Sequence, residues 1–188
     1  MRRRTPISTS QELVSETHLR IIVYDFHQDD PGKCTSARLQ KFHLARPLNS
    51  LSRIPPRAIV LNPISQRTLS FADRPLIRDH GLVGLDCSWN ESEEMFQKGL
   101  RGENRRLPTL LAGNPTNYSV QGKLSTAEAL AAALIITGYN SEARRILSIF
   151  KWGDTFLTLN KEPLEAYSRT PVDQMFTLER EFFEPRTS

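Results

Sequence analysis

The sequence predicts an α/β protein with a mostly parallel sheet, on three observations. Short continuous apolar runs at Leu19–Phe26, Ala58–Leu61 and Leu82–Asp86 have the character of strands buried on both faces. Segments with helix-start signals alternate with them along the chain. The stretch Leu107–Gly138 reads as strand, tight loop and helix, the order in which open α/β proteins build ligand sites at strand ends.

Residues 1–17 carry no apolar period and are expected to form a mobile tail, with Glu12 and Glu16 speaking against a transit peptide. After the first strand, Asp29-Asp30-Pro31-Gly32 has turn residues. A helix follows with Thr35 or Ser36 as its cap and Leu39, Phe42 and Leu44 as its apolar residues. Three prolines make 47–57 a loop. Ala58–Leu61 is stopped by Asn62-Pro63, Thr68–Phe71 is a further short strand, and Pro75–His80 is one or two helical turns. Leu82–Asp86 leads into Cys87-Ser88-Trp89-Asn90, and Glu91–Leu100 forms a short helix with Glu91, Glu93 and Glu94 at its positive end. Residues 101–106 read as a basic loop and a soft boundary between two lobes.

The segment Thr109–Ala112 reads as a buried strand. Ser125 and Glu128 form a capping box, in which each side chain satisfies a backbone N–H of the first helical turn. The helix that follows has no charged residue from Ala129 to Asn140 and is Ala/Leu/Ile on every face, which predicts burial on more than one side. Gly138 suits the left-handed residue that ends it. Ser141–Phe150, Asp154–Tyr167 and Pro171–Phe183 complete the helical segments.

Composition narrows the function classes. The 188 residues are 38% hydrophobic and 24% charged, the balance of a water-soluble globular chain with a sizeable core. No apolar run approaches the roughly 20 residues that span a bilayer, and the first residues show no signal-peptide pattern. The two cysteines, Cys34 and Cys87, lie too far apart for a C-x-x-C site, so no disulfide framework or metal is expected and the setting expected is cytoplasmic. Arg2, Arg3 and Arg4 supply most of the net charge of +4, so global charge argues only weakly for nucleic acid. The local clusters matter more: Arg38 with Lys41 on one helix face, Arg101, Arg105 and Arg106 in one loop, and Arg144 with Arg145. There is no G-x-G-x-x-G, Walker loop, H-E-x-x-H or G-x-S-x-G, and the four histidines are scattered singly, which disfavours a nucleotide triphosphatase or zinc hydrolase.

What remains is a set of strand ends: Thr35, Leu61-Asn62-Pro63, Asp86-Cys87-Ser88-Trp89 and Asn114-Pro115-Thr116-Asn117-Tyr118. Strand ends of an open sheet meet around one pocket. Trp89 is either an aromatic wall for a base or sulfonium, or a core anchor. Asp86 is either a base or charge partner, or a cap for the helix that follows it.

Together these segments resemble one family, the small-subunit ribosomal RNA aminocarboxypropyltransferases of archaea and eukaryotes, and the chain looks like an archaeal member. The residues that carry the resemblance are Lys33-Cys34-Thr35, Leu61-Asn62-Pro63, Leu85-Asp86-Cys87-Ser88-Trp89, Arg106-Leu107-Pro108, Leu111–Tyr118 and Lys123–Ala129. Phe150-Lys151-Trp152-Gly153, Phe156, Asn160 and Leu164–Tyr167 look like the family's tail. The likeness runs over about residues 19–169, with Ala112-Gly113 standing where the family has paired alanines and a looser Ser119–Gly122 loop.

The resemblance implies a SPOUT-like fold: an N-terminal α/β domain (18–104) and a C-terminal S-adenosylmethionine-binding domain (105–188) tied in a trefoil knot, with a pocket shared with residues 35, 61–63 and 85–89. Unaided topology rules would exclude such a knot. It implies S-adenosylmethionine as donor and no metal. Thr35, Leu85, Leu107, Gly122 and Thr126 would fix the adenosine and amino-acid moieties, Leu61, Pro63, Leu124 and Ala129 would form apolar walls, and Trp89 would cover the methyl group. The reaction implied is transfer of the 3-amino-3-carboxypropyl group to N3 of a uridine or pseudouridine in small-subunit ribosomal RNA, with Asp86 as candidate base. Lys33, Arg38, Lys41, Arg105 and Arg106 are the RNA-contact candidates. The chain is expected to be a monomer acting on ribosomal RNA or a pre-ribosomal particle, with no membrane partner. The competing readings are a methyltransferase of the same fold and a non-catalytic ribosome-assembly factor.

Overall fold

A computed structural model describes residues 19–25, 34–86, 96 and 100–184. The expected tail, the turn at 29–32, Lys33, Cys87–Asn90 with Trp89, and most of the expected helix Glu91–Leu100 lie outside the described residues.

Among the described residues five strands form one sheet: β1 (Ile21–Asp25), β2 (Arg46–Pro47), β3 (Ile59–Leu61), β4 (Leu82–Asp86) and β5 (Glu103–Arg105), in the order β2-β1-β4-β3-β5. Every pair is parallel. The carboxyl ends of all the strands therefore lie along one edge. Register fixes who meets there, because Asp25 lies opposite Asp86 and Leu61 opposite Arg105.

Alternation along the strands gives the sheet two apolar faces. Ile21, Val23, Ile59, Leu61 and Leu82 point into the main core beneath the helices. Ile22, Val60 and Val83 point the other way, onto Ile54 and Ala58 of the proline-rich loop. The strands are thus covered on both sides, the reason their sequences read as continuous apolar runs.

Seven α-helices lie among the described residues: α1 (Thr35–Lys41), α2 (Arg74–His80), α3 (Thr126–Ile136), α4 (Asn140–Leu147), α5 (Gly153–Leu159), α6 (Lys161–Tyr167) and α7 (Met175–Phe183). The central one is α3, which packs on β4, α1, α4 and α6. Its capping box forms as the sequence predicts: the Ser125 hydroxyl accepts from the Glu128 N–H at 3.3 Å, and the Glu128 carboxylate accepts from the Ser125 N–H at 2.7 Å. Leu130, Ala131, Ala132, Ala133, Leu134 and Ile136 are all fully buried. Gly138, at φ +80°, turns the chain at the end. Close approach to the sheet is possible because β4 carries Gly84, where a Cβ would sit 3.0 Å from Thr126 Cγ2.

Several elements differ from the sequence expectation. The cap of α1 is Cys34, whose sulfur accepts from the Ala37 N–H at 3.4 Å. Residues 103–105, read as basic loop, are strand β5. The segment Thr109–Ala112 is no strand of the sheet; Leu111 bridges Gln121 and the chain folds on itself. Thr68–Phe71 contributes one bridge, from Thr68 to Arg106. The long helical stretch after Asp154 is two helices meeting at Asn160. No helix among the described residues is long and apolar enough to cross a membrane.

Candidate active site

At the carboxyl edge of the sheet lies a cavity of about 1160 Å³. Its walls come from β3, β4, the start of α1, the segment 106–125 and the start of α3. Thr35, Leu61, Pro63, Leu85, Leu107, Gly122, Leu124, Thr126 and Ala129 all line it, as do Asp86, Arg38 and Arg106. The fold thus gathers into one space residues as far apart in sequence as Cys34 and Trp152. Trp89 and Lys33 lie outside the described residues.

Asp86 ends β4 and faces the start of α1. Its Oδ2 accepts from the Ser36 N–H at 3.1 Å and lies 3.3 Å from Cys34 Sγ. The carboxylate thereby holds the first turn of α1, which carries Thr35 and Arg38, while the following helix that the sequence offered as its other partner lies outside the described residues. Burial pushes the Cys34 thiol up to about 11, against a smaller opposing effect of its hydrogen bonds with Ser36 and Ala37, so it stays protonated at neutral pH and can donate. Asp25 Oδ2 lies 3.4 Å from the same sulfur, and the single thiol proton serves one carboxylate at a time.

The wall at 107–125 is held by two buried side chains. Glu128, fully buried, accepts five hydrogen bonds: Oε1 from the N–H groups of Gly113 and Asn114 at 2.6 and 2.9 Å, and Oε2 from Asn114 Nδ2, Ser125 N–H and Ser125 Oγ at 2.7, 2.7 and 2.8 Å. The residue that starts α3 therefore also ties down the loop facing it. Asn114 closes that loop by accepting from the Asn117 N–H at 3.0 Å. Asn160, also fully buried, accepts from the Leu111 N–H and donates to the Leu111 carbonyl, both at 2.8 Å. A side chain amide here does what a neighbouring strand would otherwise do. Gly113 is required by packing: a Cβ there would come 2.6 Å from the Phe156 backbone.

The basic candidates separate. Arg38 and Lys41 are exposed on α1, and Arg38 reaches the cavity. Arg106 also lines the cavity, but its guanidinium pairs with Glu179 of α7 at 2.8 Å. Arg105 is a correction. It is 4% exposed, with Nε donating to Asp73 at 3.0 Å and Nη1 donating to Glu103 at 3.3 Å, so it holds the interior and offers no charge to RNA. In sequence, Asn160 and Phe150–Gly153 stand out only as residues that look like the family's tail. Their placement against the cavity depends on long-range packing that no local pattern reports.

Residues 59–183 match the model of the family described as "Ribosome biogenesis protein, C-terminal". Residues 19–52 match "Possible Fer4-like domain in RNase L inhibitor, RLI"; that segment holds one cysteine, Cys34, short of the four thiolates a ferredoxin-type cluster takes. A protein of Saccharolobus islandicus strain M.16.27 named 16S rRNA aminocarboxypropyltransferase is 43% identical over 166 residues, 88% of this chain and 97% of that one. Its namesake in Methanosarcina mazei is 47% identical over 150 residues, 79% of this chain and 85% of that one. The solved structure of the SAM-dependent rRNA:acp-transferase Tsr3 from Vulcanisaeta distributa superposes with a TM-score of 0.80 at 38% identity, over 87% of this chain and 88% of that one. By these likenesses the chain belongs to the 16S rRNA aminocarboxypropyltransferase family.

Proposed function

We infer that this chain transfers the 3-amino-3-carboxypropyl group of S-adenosylmethionine to ribosomal RNA of the small subunit. The observation that carries this reading is the convergence on one cavity of Thr35, Leu61, Pro63, Leu85, Leu107, Gly122, Leu124, Thr126 and Ala129, from parts of the chain far apart in sequence.

The residues fit the donor. Leu61, Pro63, Leu124 and Ala129 offer apolar faces suited to a flat adenine, and the Thr35 and Thr126 hydroxyls offer polar partners for ribose and amino-acid groups. Trp89 is assigned to cover the methyl group, which leaves the propyl carbon as the one presented to the acceptor. When bound, the sulfonium supplies an electrophilic carbon whose bonding pair returns to sulfur.

The acceptor is N3 of a uridine or pseudouridine, everted from an unpaired loop so that it can reach the strand edge. N3 forms the new N–C bond as the C–S bond breaks, and its proton must leave. Asp86 is assigned to take it; in support, the residue lines the cavity and its bond from the Ser36 N–H engages only Oδ2. Asp86→Asn is expected to lower the transfer rate about 100-fold or more while donor affinity stays within a small factor of wild type. A loss of only a few-fold assigns Asp86 to anchoring α1.

We further propose that residues 18–104 and 105–188 act as the N-terminal domain and the C-terminal donor-binding domain, sharing one sheet through β5, and that the latter is tied in a SPOUT-like trefoil knot. In support, α3 packs against β4 and α1, elements that precede it by tens of residues. Arg38, Lys41 and Lys33 are assigned to RNA, with Arg106 at the rim. The enzyme is proposed to act as a cytoplasmic monomer, with the pre-ribosomal particle as its substrate.

A transfer assay with small-subunit RNA and S-adenosylmethionine labelled in the carboxyl or the methyl group tests the reaction. Carboxyl label alone is expected in the RNA. Methyl label alone makes the protein a methyltransferase, and neither label with donor binding intact makes it a binding factor.

A further inference from the structure

One wall of the cavity is left without a role by the donor. Phe150 and Trp152 both line it, from the tight turn between α4 and α5, with ring centroids 4.8 Å apart and planes inclined at 27°. The Arg38 guanidinium lies over the same Phe150 ring at 5.3 Å. Phe150 is buried at 7% exposure, whereas Trp152 is half-buried and keeps part of its indole on the cavity. The turn is specified tightly: a Cβ at Gly153 would collide with the Leu147 carbonyl, so the residue after Trp152 has to be glycine.

A guanidinium and an indole packed on one shared phenyl ring make the kind of surface on which unpaired RNA bases stack, through π contact and guanidinium planes. A further feature suits RNA. Lys41 and Lys151 are exposed beside Arg38 and Trp152, where a phosphate backbone entering the cavity would pass. The cavity, at about 1160 Å³, lies at the upper end of the roughly 300–1,000 Å³ range of ligand sites.

We propose that Trp152, stacked on the Phe150 ring that also carries Arg38, is the platform on which the everted acceptor base stacks as it receives the transferred group. This rests on the RNA-modifying reading above and assigns the substrate subsite of the same cavity. The Arg38–Phe150 contact joins α1 to the α4–α5 turn, so the base site straddles the two halves of the chain as the donor site does.

The test compares wild type, Trp152→Leu and Trp152→Phe for binding of a short oligouridine strand and of the same strand carrying abasic positions, with donor affinity measured by calorimetry. Wild type is expected to prefer the intact strand about 10-fold, Trp152→Phe to keep most of that preference and Trp152→Leu to lose it. Donor affinity is expected to be unchanged throughout. A base preference that survives in Trp152→Leu overturns the assignment, as does a weakened donor affinity with RNA binding intact. A second measurement needs no variant: a 5-bromouridine strand, irradiated on wild-type protein, is expected to crosslink at Trp152, and a crosslink that maps to another part of the cavity overturns the proposal. Failure of the parent reading shows separately, as absence of carboxyl label in RNA from wild type.

Discussion

Replacing Glu128 by glutamine is expected to lower the unfolding free energy by about 3 kcal/mol and to abolish measurable donor binding. The carboxylate is fully buried and accepts five hydrogen bonds. Glutamine has one acceptor oxygen, and its NH₂ group would face the donors that met the other. If the amide replaces Oε1, the Gly113 and Asn114 N–H groups lose their partner. If it replaces Oε2, the Ser125 N–H and the Asn114 amide lose theirs. Each orphaned buried donor costs on the order of 1–3 kcal/mol, and contacts to a charged acceptor sit at the upper end. For a chain of this size about 3 kcal/mol corresponds to a fall of roughly 6–12 °C in melting midpoint. Donor binding suffers with it, because the loop and helix start that Glu128 joins form the cavity wall. Asn114→Ala is the discriminating control, removing one contact to Glu128 and the one closing the loop. It is expected to weaken donor affinity with a smaller drop in midpoint, and equal drops would mean that the loop has no separate role.

Arg105→Ala is expected to destabilise the protein by about 3–5 kcal/mol, the range for breaking a buried ion pair. The side chains of Arg105 and Asp73 are 4% and 9% exposed, so removing the guanidinium leaves a carboxylate buried without its partner. Asp73 also accepts from the Ser70 N–H in the cap before α2, so the loss spreads to that turn. Lysine is expected to rescue little, since one ammonium cannot serve Asp73, Glu103 and the Asn104 carbonyl as the planar fork does. Denaturant unfolding measures the loss. The salt dependence of RNA binding by the folded variant is expected to match wild type, whereas Arg38→Ala should reduce the slope by about 0.7–0.9, one phosphate contact. A reduced slope in Arg105→Ala with stability intact would return this residue to the RNA surface.

The contrast between these arginines marks where sequence reasoning ends. Sequence alone places α3, because a capping box, an unbroken apolar run and a terminal glycine are all local signals that packing reinforces. It also places β1, β3 and β4, whose burial on both faces is written in their apolar runs. It misses β5, because Glu-Asn-Arg looks like a solvated turn until Asp73 and Glu103 arrive to neutralise the arginine. It overstates Thr109–Ala112, where the apolar pattern is real but the pairing partners are Gln121 and the Asn160 side chain. Periodicity finds strand ends and so a pocket. The joining of Leu61, Leu124 and Ala129 in one cavity depends on strand order, which no local spacing encodes; the family resemblance supplied it. The double duty of Glu128 was half visible, as a cap, and its grip on Gly113 and Asn114 was not.

The reach of the cavity along the chain also sets when the protein becomes competent during its own synthesis. Its lining runs from Cys34 to Trp152, its wall at Leu111 waits for Asn160, and the rim at Arg106 waits for Glu179. A ribosome translating this chain from the amino end can complete the sheet long before it delivers those clamps. The nascent first half is therefore a scaffold whose cavity mouth stays unfinished until Asn160 and Glu179 have emerged.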